Sequence, residues 1–132
     1  MHFQYSLGIR ITPLYDAFVM VFPKWPAAPF QLPNNAAIYN ADGSLRCQLF
    51  VPKVLTPSLP GTTLTAEDIK RMPPDGFWEI GTRVNEFGDV CDWLAPYLMW
   101  ANIGYGYDTY ECRYFDPTTG VFDTEHFSAG RL

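Results

Sequence analysis

An α+β domain is the fold class this sequence predicts: an antiparallel sheet of about six or seven strands in hairpins, with one main helix packed on one face. Three observations predict it. Several short segments alternate apolar and polar residues at period two, one longer segment repeats apolar residues at threes and fours, and proline and glycine punctuate the chain throughout. The 132 residues include 12 prolines and 10 glycines, which disfavours an all-helical bundle. A hydrophobic content of 48% against 17% charged residues sets intrinsic disorder aside, and the length suits one α+β domain over 1–132.

In chain order, Phe3, Tyr5, Leu7, Ile9 and Ile11 alternate with polar or small neighbours and predict a half-buried strand. Ala17 to Phe22 is a continuous apolar run, read as a more buried strand that pairs with the first. Pro23, Pro26, Pro29 and Pro33 predict an ordered surface loop, with Trp25 and Phe30 pinning it to the core. Ala36–Asn40 and Leu45–Val51 flank Asp42-Gly43, a strong hairpin signal because glycine accepts the positive φ of the turn. A loop over 52–63 leads to a short helix (about 65–72), opened by Thr65 and ended by Pro73-Pro74. Phe77–Val84 predicts another strand.

Asn85 to Asn102 predicts the main helix (about 86–102). Val90, Trp93, Leu94, Tyr97, Leu98 and Ala101 form its apolar stripe, acids occupy its first turns, and Pro96 introduces a kink. Tyr105–Phe115 and Val121–Phe127 then predict a final hairpin around Asp116-Pro117-Thr118-Thr119-Gly120. The stretch Arg113-Tyr114-Phe115-Asp116-Pro117-Thr118-Thr119-Gly120-Val121-Phe122 resembles the hairpin found in cores of the Rhs/YD-repeat family, with valine at position 121 where that pattern usually has arginine. The resemblance covers ten residues and implies a hairpin turn, with no activity attached.

The net charge of −5 is uneven. Residues 1–66 carry four basic and two acidic side chains, whereas residues 67–132 carry five basic and twelve acidic ones, or −7. Such a field disfavours nucleic acid and favours a basic protein partner. Cys47, Cys91 and Cys112 form no C-x-x-C pair and read as buried thiols in a reducing cytoplasm. No apolar run approaches the roughly 18 residues of a membrane span, and the N-terminus lacks the pattern of a secretory signal.

Catalytic constellations are sparse. His2 and His126 are the two histidines, no G-x-S-x-G elbow occurs, and Gly104-Tyr105-Gly106 lacks the third glycine of a dinucleotide fingerprint. On a regular strand Asp123 and Glu125 share one face and His126 the other, so the three do not converge on a metal. Asp89 and Asp92, three apart on the expected helix, offer a carboxylate pair near Trp93 and Trp100. The densest local feature is the interleaving of tyrosines and acids between Trp100 and Phe115.

These observations lead to the expectation of a small acidic binding module without cofactor. It is read as an immunity or inhibitor-type protein that occludes the active surface of a basic toxin or enzyme through Asp89, Asp92, Tyr105, Tyr107, Asp108 and Glu111. Two other readings remain open: a small enzyme using carboxylates on a carbohydrate or other polar substrate, and a structural or phage-type assembly subunit.

Overall fold

The computed structural model describes residues 10–13, 16–24, 26–56, 74–105 and 109–131. They form two four-stranded antiparallel sheets, each a simple up-and-down meander. The first contains β1 (Arg10–Pro13), β2 (Ala17–Val21), β3 (Ala36–Asn40) and β4 (Leu45–Leu49) in that order. The second contains β5 (Gly76–Thr82), β6 (Met99–Gly104), β7 (Thr109–Phe115) and β8 (Phe122–Arg131).

The sheets share one core. Val19, Val21, Ile38 and Leu49 from the first pack with Phe77, Ile80, Met99, Ala101, Ile103, Phe115 and Phe122 from the second. Burial alternates along β6 and β7, as period-two side chains between two layers require. The outer face of the first sheet is covered as well: Met20 and Phe22 pack with Ala28, Phe18, Phe30 and Tyr39, so the proline-rich segment is folded back onto β2 and β3. Phe30 holds the loop as its sequence suggests, while Trp25 lies outside the described residues.

The structure corrects the α+β expectation. Among the described residues the only helical element is one 3-10 turn, Asp92–Leu94, and the main helix expected over 86–102 is absent. Two breaks lie inside that window. Gly88 adopts φ +83°, and Pro96 has no N–H to give to a helix. The last part of the window is β6, a central strand bonded to β5 and β7 along its whole length. Met99, Ala101 and Ile103 point into the core, whereas Trp100 and Asn102 point away. A strand that fills two ladders satisfies more backbone groups than an isolated, proline-interrupted helix. The short helix expected over 65–72 lies outside the described residues.

Candidate functional site

Between β5 and β6 the chain leaves the sheet for residues 83–98. It first forms a miniature hairpin, closed by the Val84–Val90 bridge and by Asn85, whose backbone N–H donates to the Asp89 carbonyl at 2.8 Å. The Asn85 side-chain oxygen accepts from the backbone N–H groups of Phe87 and Asp89 at 2.9 and 3.0 Å, which fixes the tip. Cys91 turns inward and donates its N–H to the Arg83 carbonyl. The 3-10 turn follows, and the cis Ala95–Pro96 bond returns the chain to β6.

This excursion is apolar and acidic at its surface. Phe87 is 80% exposed, Trp93 73% and Val84 48%. Glu86, Asp89 and Asp92 are exposed beside them, and residues 84–98 contain no lysine or arginine. Two of the six residues expected at a partner surface, Asp89 and Asp92, therefore stand on this excursion. Tyr105 and Glu111 do not. Tyr105 is buried and its hydroxyl donates to the Pro52 carbonyl at 2.8 Å. Burial first, then the Glu111 charge, push its phenol far above the ordinary value. Glu111 is wholly buried, for reasons of architecture: one carboxylate oxygen accepts from Leu55 N, Thr56 N and the Thr56 hydroxyl, and the other pairs with Arg113 at 3.0 Å. Tyr107 and Asp108 lie outside the described residues. No pattern in the sequence singles out Phe87, and the helical spacing places Trp93 on a buried stripe instead of the surface it occupies.

Two grooves flank the excursion on the outer face of the second sheet. One, of about 550 Å³, has Trp100, Asn102, Cys112 and Tyr114 on its floor, with Val84, Cys91 and Leu94 in its wall. The other, of about 460 Å³, runs between Trp93, Leu94 and Tyr97 and the start of β8, where Asp123, Thr124, Glu125 and His126 line it. Arg83 separates them, its guanidinium 3.6 Å over the Tyr114 ring and bonded to the Tyr97 carbonyl at 3.1 Å. Asp89 and Asp92 line neither groove, so the carboxylate pair expected from the sequence faces no cleft there.

The acid–histidine cluster of β8 departs from a regular strand. The register slips between Arg113 and Phe115, and the Asp123 carboxylate accepts from Glu125 N at 2.8 Å and meets His126 Nδ1 at 2.9 Å. Asp123 and His126 are thus partners instead of facing opposite ways. No group of three possible metal ligands assembles among the described residues. A Cys112–His126 pair does not form either. The Cys112 thiol bonds Ser128, and burial raises its pKa despite that bond and the Arg83 charge, which keeps it a thiol.

Burial alone pushes the Asp123 carboxyl up, but the hydrogen bonds from Glu125 and His126, with the histidine charge, outweigh it and set it below the ordinary value. A carboxyl with a depressed folded-state pKa adds stability above its unfolded pKa and loses that contribution as pH falls through the folded value. Asp123→Asn is therefore expected to be less stable than the parent near neutrality. The gap should begin to narrow as pH falls below about 4 and close once pH passes below the depressed folded-state value, as read from urea midpoints across the range.

Comparison with known proteins finds no family model, curated protein or solved structure that matches the chain. No helix among the described residues is long and apolar enough to cross a membrane.

Proposed function

We propose that the protein is an inhibitor or immunity-type binding module that docks the 83–98 excursion onto a cationic protein, a toxin or an enzyme, and covers its active surface. The observation that carries this reading is the pairing of Phe87 and Trp93, both more than two-thirds exposed, with three exposed acids on one ordered excursion whose lone base, Arg83 at its start, is engaged by Tyr114 and Tyr97. Exposed aromatic side chains anchored on rigid backbone are what interface hot spots are made of. The carboxylates around them steer a basic partner and discriminate against acidic ones. Asp89 and Asp92 carry the charge role, and Phe87 and Trp93 supply the anchors.

A photo-crosslinking residue at position 87, introduced in the native host, identifies the partner, which is expected to be a basic protein. With that partner purified, Trp93→Ala is expected to weaken binding about 30-fold, and Asp89→Lys with Asp92→Lys to slow association and flatten its salt dependence. The partner's own activity should fall in step with occupancy. Crosslinking to no basic protein, or affinity unchanged by these substitutions, would overturn the reading.

A further inference from the structure

Three aromatic rings lie flat on the outer face of the second sheet, each directly above a glycine of the adjacent strand. A Cβ on Gly81 would stand 2.3 Å from the Trp100 indole, one on Gly104 2.2 Å from the Trp78 indole, and one on Gly130 2.9 Å from the Tyr110 hydroxyl. Gly81 and Trp100 are register partners, as are Gly130 and Tyr110. The two tryptophans are placed reciprocally: Trp100 of β6 rests on β5, and Trp78 of β5 rests on β6. Glycine floors of this kind hold a ring parallel to the sheet and protect the backbone beneath it. Both indoles are half-buried, and Trp100 forms part of the floor of the 550 Å³ groove.

We propose that this face is a binding platform for a neutral oligosaccharide of β-linked, equatorially substituted pyranose units. Such sugars present a flat apolar face of axial C–H groups that stacks on an immobilised indole, and a rim of hydroxyls that requires both donors and acceptors. Asn102 supplies both from β6 and lines the groove. Trp100 and Gly104 are four positions apart on β6, so the two indoles are spread along the strand by about 13 Å. That span suits an oligomer, not a single sugar. The electrostatics select against the other common stacking ligand, a single-stranded nucleic acid. Such grooves are lined with positive charge, whereas Arg83 is the one cation lining this groove among the described residues, and it is already engaged by Tyr114 and Tyr97.

The test is a titration of the full chain with cellohexaose and, separately, chitohexaose, followed by the indole N–H resonances. Those of Trp78 and Trp100 are expected to shift and saturate with at least one sugar, while that of Trp93 stays in place. Asn102→Ala, which leaves the ring floor intact, is expected to weaken binding at least about fivefold, and Trp100→Ala about tenfold or more. No shift with either sugar to about 10 mM overturns the proposal. So does a shift that survives both substitutions, or a response to an oligo-dT strand in place of the sugars. The outcome is separable from the partner reading, because Phe87 is not part of this groove and Trp93 lines the other one.

Discussion

Glu111→Gln is expected to destabilise the fold by about 3–5 kcal/mol, because it leaves the Arg113 guanidinium charged inside the protein without a counterion. Both side chains are sealed from solvent, at 0% and 1% exposure. Arg113 also donates to the Lys53 carbonyl at 2.8 Å and the Asp123 carbonyl at 3.1 Å, while its Nε has no hydrogen-bond partner among the described residues. The ion pair therefore acts as a clamp. It reaches from β7 to the segment Pro52–Thr56, whose backbone has no strand to bond to, and supplies it with donors and acceptors. Arg113→Met is expected to cost a similar amount. The double variant Glu111→Leu with Arg113→Met should cost less than the two singles together, since no charge then remains buried unpaired. It should not return to the parent's stability, because Leu55 N and Thr56 N lose their acceptor. Urea unfolding measures all three. Limited trypsin digestion gives an independent reading: cleavage after the exposed Lys53 should accelerate in each variant. Single variants within 1 kcal/mol of the parent would mean that the pair is not the clamp.

The same pair marks how far the sequence could be read. Thr109, Glu111, Arg113 and Phe115 share one face of a period-two strand, and the face that carries Phe115 is the core. Charges of opposite sign two residues apart on that face are legible as an internal ion pair. Their weight as acids among tyrosines suggested an outer surface instead. The hairpins around Asp42-Gly43 and Asp116–Gly120 were legible because turn chemistry is local. β6 was not, because Trp93, Leu94, Tyr97, Leu98 and Ala101 reproduce helical spacing across an excursion and a strand that have no common geometry. The alternation of Met99, Ala101 and Ile103 was present but shorter than the spurious period. At the candidate site, charge is the signal in the sequence that points to Asp89 and Asp92. The exposure of Phe87 and Trp93 follows from Gly88 and the 3-10 turn, which only become decisive once the helix is gone. The glycine-floored rings depend on strand register, which distant pairing sets.

Asn35→Ala is expected to cost about 3 kcal/mol or more, since it strands three buried backbone groups at once. The Asn35 amide donates to the Phe22 carbonyl at 2.6 Å and the Phe77 carbonyl at 3.0 Å, and its oxygen accepts from Phe77 N at 2.8 Å. Phe22 follows β2 and Phe77 lies in β5, so one side chain ties the two sheets together along an edge of the core. Asn35→Asp keeps the acceptor but turns an oxygen toward two carbonyls. Near neutrality it should be at least as damaging, and its penalty should shrink in acid as the buried carboxyl takes up the proton that restores a donor. Gly76 belongs to the same joint. It holds φ +115°, and a Cβ there would sit 2.8 Å from the Asn35 side-chain oxygen and 2.9 Å from the Pro33 carbonyl. Gly76→Ala is thus strained by both conformation and contact. Asn35→Ala removes one of those contacts, so the two substitutions together should cost less than their sum. The denaturant slope distinguishes what the joint does. If it merely adds stability, the midpoint falls and the slope stays constant. If it makes the two sheets unfold as one, the slope falls too, because the sheets then part before either melts.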